Sequence, residues 1–174
     1  MRASSLFVLG GARSGKSRYA QARAEAASGN PVFVATAEAF DDEMRDRIDR
    51  HQADRAAHWR TVEAPHNLPA AIDALNANDS VVLVDCLTLW VSNLLLADAD
   101  IPLASRKLCH AISRFEGLLI LVANEVGLGI VPDNALARAF RDAAGQLNQS
   151  VAATVQEVAL ITAGLPLTLK PRGA

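Results

Sequence analysis

The residues Gly10-Gly11-Ala12-Arg13-Ser14-Gly15-Lys16-Ser17 fit the spacing G-x-x-x-x-G-K-[ST]. Such a run binds phosphate. Its glycines let the backbone curl so that several N–H groups converge on phosphate oxygens, and a following helix adds its partial positive charge. In that arrangement Lys16 bridges the β- and γ-phosphates and Ser17 ligates Mg²⁺. Arg13 is a further candidate for phosphate contact. Asp85 directly follows the apolar run Val81–Val84. A carboxylate at that place in a nucleotide-binding sheet holds Mg²⁺ directly or through a water, although capping the next helix is the plainer alternative. A second feature lies in the charged segment Asp41–Arg60, where Met44, Ile48, His51 and Arg55 share one helical stripe. An imidazole in line with the few apolar residues of such a segment faces the protein body. Near a triphosphate it can serve as a ligand, an acid–base group or a nucleophile. The spacing leaves these open, and a solvated helix braced by i,i+4 charge pairs remains the bland reading.

These residues need a scaffold to hold them. Continuous apolar runs at Leu6–Leu9, Val32–Ala35, Val81–Val84, Leu118–Val122 and Val158–Ile161 suit strands buried on both faces of a parallel sheet. Helical patterns lie between them near 16–28, 40–57, 67–77, 87–97, 103–116 and 133–156. In the last, Leu136, Phe140, Ala144, Leu147, Val151 and Val155 form one stripe, and Pro132 and Asp133 suit its start. Leu167–Leu169, after Pro166, suits a final edge strand or hairpin. The expected fold is therefore α/β: a mostly parallel sheet of the phosphate-loop NTPase type with helices on both faces, in one domain over 1–174. Ligands of such sheets sit beyond the carboxyl ends of the strands. The polar residues that follow each run are the phosphate loop, Thr36, Asp85 and Asn124-Glu125.

Composition narrows the partners. Hydrophobic residues make up 51% of 174 and charged ones 21%, with net charge −2 and pI about 6.1. That is a globular balance without the broad basic field that nucleic acid requires. Cys86 and Cys109 lack metal-ligand spacing and suit reduced thiols in a cytoplasmic protein. The apolar start is too short for a signal peptide. The stretch LTLWVSNLLLA, interrupted by Thr88, Ser92 and Asn93, falls short of a membrane span.

Five blocks together resemble one family: GGARSGKSR, DDEM-x-x-R-I-x-x-H, HWRT-x-E, N-E-V-G-x-G-I-V-P-x-N and R-x-F-R-D-x-x-G-x-x-N-Q. The family is the bifunctional adenosylcobinamide kinase / adenosylcobinamide-phosphate guanylyltransferase of cobalamin biosynthesis, and the likeness runs from residue 6 to about 170. It implies two reactions. ATP or GTP first phosphorylates the aminopropanol hydroxyl of adenosylcobinamide. GTP then gives GMP to that phosphate, forming adenosylcobinamide-GDP and pyrophosphate. The resemblance implies that His51 carries GMP as a covalent intermediate; Lys16 is expected to serve both reactions because both need the same phosphate cradle. It also implies guanine-nucleotide contacts at Ala35, Thr36, Ala37, Gln52, Ala53, Asp54, Arg55, Glu63 and Asp85. Glu63 is the candidate acceptor for guanine N1–H and N2–H, against a plain surface carboxylate. Asn124 and Glu125 are expected to orient phosphate or corrinoid groups or to cap a turn. Arg138, Arg141 and Asn148 match the pattern, and structural pairing explains them equally well. The family implies Mg²⁺ and a homo-oligomer, with a trimer as one form. Two other readings are a phosphate-loop kinase without guanylyl transfer and a nucleotide-driven switch or ATPase.

Overall fold

The computed structural model describes residues 4–29, 31–38 and 59–173. The expected charged helix, with His51, Gln52, Ala53, Asp54, Arg55 and His58, lies outside the described residues. Among the described residues seven strands form one sheet: β1 Ser4–Gly10, β2 Pro31–Ala35, β3 Arg60–Glu63, β4 Val81–Asp85, β5 Leu118–Asn124, β6 Glu157–Thr162 and β7 Leu165–Lys170. Their order across the sheet is β3-β2-β4-β5-β1-β6-β7. Every pairing is parallel except β6 with β7, so the C-terminal hairpin expected from Leu167–Leu169 is present as an antiparallel edge.

The apolar runs read as they do because both faces of the sheet are covered. Along β1, Leu6 and Val8 face one core while Phe7 and Leu9 face the other, which is the two-residue alternation of a strand. The Leu6/Val8 side is packed by Ala20 and Ala24 of α1 Lys16–Glu25. The opposite side is packed by α2 Leu68–Ala74, α3 Leu87–Leu96, α4 Ile101–Arg114 and α5 Ala135–Thr154. No described helix is long and apolar enough to cross a membrane.

Two details depart from the sequence reading. Helix α5 is capped by Asn134, whose side chain accepts from Ala137 N–H at 2.7 Å, rather than starting at Pro132-Asp133. Its stripe buries Ala144, Leu147 and Val151, but Leu136 stays exposed in the first turn. Strand β3 was not expected. RTVE has no apolar run, and it forms as an edge strand by pairing with β2, with Ala35 opposite Glu63. Trp59, just before it, packs edge-on against Phe33 with ring centroids 6.4 Å apart, and its indole N–H donates to Glu25 at 3.2 Å.

The far end of α1 is tied to β6 by a two-pronged ion pair. Arg23 donates to both Glu157 oxygens at 2.9 and 2.8 Å and lies 5.8 Å from the centre of the Tyr19 ring. The Arg23 partner holds the Glu157 carboxyl below its ordinary range. Glu157→Gln should therefore lower stability at neutral pH. Arg23 is partly exposed, and screening limits the expected loss to about 1 kcal/mol. The wild-type advantage is present above the unfolded carboxylate pKa of about 4.3 and disappears as pH falls through the lower folded value. Urea unfolding of both chains at neutral and acid pH checks this: the gap between them should close in acid.

Candidate functional site

The carboxyl ends of six parallel strands share one side of the sheet. Gly10 lies opposite Asn124 and Ile161, Ala35 opposite Asp85 and Glu63, and Asp85 opposite Val122. The polar residues that follow the apolar runs are thus brought along one edge. They are not equally close to the phosphate loop. Neighbouring strands are about 4.8 Å apart. The β4 end with Asp85 is therefore roughly 10 Å from the β1 end, and the β3 end with Glu63 roughly 19 Å.

Between β1 and α1, residues 11–15 make the cradle. Ser14 N–H donates to Gly11 O at 3.3 Å, and Lys16 Nζ donates to the same carbonyl at 3.3 Å. The lysine therefore lies across the loop, where a phosphate oxygen can replace the carbonyl as its partner. Arg13 and Gly15 both take positive φ, 54° and 93°, which turns successive N–H groups inward. Gly10 has no room for a side chain: a Cβ there would lie 2.4 Å from Ser14 Oγ and 2.7 Å from Ile161 O. Helix α1 carries no acidic residue in its first turn and no side-chain cap, so its N–H groups are left for an anion. The Ser14 hydroxyl is buried without a hydrogen-bond partner among the described residues, an arrangement that costs roughly 1–3 kcal/mol until an acceptor arrives. Behind the loop, Gly164 N–H in the β6–β7 turn donates to Ser14 O at 2.8 Å.

Asp85 ends β4, and the residue at the cap position of α3 is Cys86. Burial pushes the Cys86 thiol up to about 11, which keeps it protonated and poorly nucleophilic at neutral pH. Ser17 supplies a hydroxyl in the first turn of α1. A hydroxyl and a carboxylate flanking a phosphate cradle are hard oxygen donors that fit Mg²⁺, which takes few protein ligands and completes its shell with phosphate and water.

Thr36 is fully buried. Its hydroxyl accepts from Cys86 N–H at 2.9 Å and donates to Cys86 O at 2.7 Å, so it clamps the ends of β2 and β4 together. Ala35 and Ala37 flank this clamp. Glu63 is exposed at the sheet edge. Arg138 donates to the carbonyls of Pro132 and Asp133 at 2.9 and 2.7 Å, and Arg141 lies 3.5 Å from Asp142; both are structural contacts.

Three residues that the sequence reading did not single out as positioning groups organise this edge, and all are on α3. Asn93 Nδ2 donates to Thr36 O at 2.8 Å and Pro65 O at 3.0 Å. Trp90 Nε1 donates to His66 O at 2.8 Å. Thr88 Oγ1 accepts from Asn124 N–H at 2.7 Å. The available signal was a polar Thr and Asn inside an otherwise apolar helical stretch, since buried polar groups are there to be hydrogen-bonded.

A glycine-rich loop between a central strand and a helix, with an acidic strand end two strands away, defines the phosphate-loop nucleotide-binding class of α/β proteins. The fold is shared with a solved protein of Pyrococcus horikoshii OT3 (TM-score 0.56, 10% identity, 98% of this chain and 88% of that one). It is also shared with an ATPase of a bacterial type III secretion system (TM-score 0.57, 12% identity, 96% and 57%). At those identities the likeness is one of fold alone. Sequence relatives are much nearer. The bifunctional adenosylcobalamin biosynthesis protein CobP of Pseudomonas aeruginosa is 47% identical over 167 residues, spanning 94% of this chain and 96% of its own. The CobU proteins of Salmonella typhimurium and Escherichia coli are 41% and 42% identical, each over 95% of this chain and 99% of the relative. The profile of the cobinamide kinase / cobinamide phosphate guanyltransferase family matches residues 6–169, and the chain belongs to that family.

Proposed function

We propose that this chain carries out both reactions of its family: phosphorylation of adenosylcobinamide on its aminopropanol hydroxyl by ATP or GTP, then transfer of GMP from GTP to the new phosphate. The observation that carries this reading is a complete phosphate cradle in a chain matched by the family over residues 6–169. In the first reaction the hydroxyl oxygen attacks the γ-phosphorus and the nucleoside diphosphate departs. The loop N–H groups and Lys16 hold the phosphates and offset charge as it shifts toward the bridging oxygen. Ser17 and Asp85 would hold Mg²⁺, which screens phosphate charge when bound.

In the second reaction an imidazole nitrogen of His51 attacks the α-phosphorus and pyrophosphate leaves. The phosphate oxygen of the acceptor then displaces the imidazole, giving adenosylcobinamide-GDP. Covalent catalysis of this kind divides one displacement into two easier ones. Ala35, Thr36, Ala37, Gln52, Ala53, Asp54, Arg55, Glu63 and Asp85 are assigned to the guanine nucleotide. Incubation with GTP and Mg²⁺ followed by intact mass tests the assignment: one added GMP is expected. An unmodified chain that still phosphorylates adenosylcobinamide would favour the plain kinase. Guanine selection has its own test. Glu63→Gln should weaken GTP roughly ten-fold while leaving ATP little changed, because it removes an acceptor from paired guanine donors. Equal loss of both nucleotides, read by titration of each, would remove Glu63 from base recognition.

The protein is assigned to the cytoplasm and to a homo-oligomer, with a trimer as the form to test. Support for assembly comes from β7, an edge strand that leaves Leu165, Leu167 and Leu169 at 72%, 59% and 54% exposure, more apolar surface than an edge usually shows to water.

A further inference from the structure

The geometry points to Glu125 as the group that accepts the proton of the acceptor hydroxyl in the kinase reaction, an inference that rests on the kinase half of the reading above. Strand β5 lies directly between β1 and β4, and its end is the one that touches the phosphate loop. Asn124 is the strand partner of Gly10, and Glu125 N–H donates to Gly10 O at 3.1 Å. The carboxylates of Asp85 and Glu63 end strands two and four places from β1. Glu125 is therefore the strand-end carboxylate next to the cradle.

Its carboxylate is also held. Gly127 N–H donates to Glu125 Oε1 at 2.6 Å. The preceding residue is pinned by Thr88. Among the described residues no hydrogen bond reaches the second oxygen, Oε2, and no Lys or Arg neutralises the charge. The side chain is half-buried, at the boundary between the loop and the segment where Leu128, Ile130 and Val131 are 87%, 97% and 62% exposed. A triphosphate held by the loop would lie beside the end of β5, and the exposed residues that follow Glu125 leave that side open to a bulky acceptor.

Through Gly127 the carboxylate caps its own turn; beside a triphosphate, which a negative group repels, its remaining oxygen can in addition ligate a cation or receive a proton. As a base, Glu125 takes the hydroxyl proton on Oε2. The freed oxygen pair forms the bond to the γ-phosphorus, the bond from that phosphorus to the β–γ bridging oxygen breaks, and the nucleoside diphosphate leaves. Glu125 then releases its proton to water. The two uses separate experimentally, because guanylylation of the protein by GTP involves no alcohol.

The test is Glu125→Gln, whose amide oxygen can still accept from Gly127 N–H, together with Glu125→Asp, each half-reaction being measured alone with ATP, GTP and adenosylcobinamide. Glu125→Gln should lower kcat of the kinase reaction roughly 10²–10⁴-fold, with nucleotide affinity not weakened and with Mg²⁺ requirement and labelling by GTP unchanged. The acid limb of the wild-type kinase pH profile should vanish in the Gln variant and persist in the Asp variant. Equal loss of both half-reactions with a raised Mg²⁺ requirement would make Glu125 a cation ligand and overturn the inference. So would a Gln variant with a wild-type kinase rate and pH profile. A wild-type chain that takes up GMP but phosphorylates no adenosylcobinamide would instead overturn the kinase reading itself.

Discussion

Lys16→Ala is expected to stop both reactions. The lysine ammonium already lies across the loop, 3.3 Å from Gly11 O, and it adds a full positive charge to a cradle built largely from backbone N–H groups. In the kinase reaction charge builds on the oxygen between the β- and γ-phosphorus; in guanylyl transfer it builds between α and β as pyrophosphate leaves. A cation that spans the triphosphate serves both. Removing one preorganised donor at such a site typically costs 10²–10³-fold in rate, and a charged donor lies at the upper end of roughly that range or beyond it. Each half-reaction should be assayed separately, with folding checked by the thermal transition. Near-normal guanylyl transfer by the variant would mean that the two reactions use different nucleotide sites. That outcome has a geometric route, since Glu63, the proposed guanine acceptor, stands roughly 19 Å along the sheet from the phosphate loop.

His51→Asn is expected to abolish the second reaction and leave the first. If the imidazole carries GMP, label from α-labelled GTP stays with the denatured wild-type protein and label from γ-labelled GTP does not. The linkage should survive alkali and break in acid, as a phosphoramidate does and a phosphate ester to Ser17 does not. Labelling needs the neutral imidazole, whose lone pair is the nucleophile, so its rate should fall as pH drops through the histidine pKa, reference value about 6.5. Phosphorylation of the alcohol needs no such nucleophile and should persist in the variant. A fully labelled His51→Asn chain would remove the assignment, and His58, in the same segment, would be the next residue to change.

The parts of this protein legible without a structure are those whose physics is local. The phosphate loop is written in eight consecutive residues because its donors are backbone groups of those residues and its shape depends on glycines among them. Five parallel strands are visible as continuous apolar runs because each is buried on both faces, and the cap of α5 misplaced by one or two residues is the ordinary error of reading a boundary from pattern. The family resemblance added His51, a residue whose spacing by itself favoured a non-catalytic role. Other features exist only once distant segments meet. Strand β3, with polar RTVE, is a strand because β2 offers it an edge, not because its residues ask for one. Thr88, Trp90 and Asn93 look like ordinary members of an apolar helix until it docks, and then they hold the ends of β5, β2 and the loop after β3. The sequence places Asp85 and Glu125 alike, each beside an apolar run. Only the strand order, with β5 inserted between β4 and β1, sets one carboxylate against the phosphate loop and the other two strands away. That order follows from long-range pairing, which local patterns of hydrophobicity do not encode.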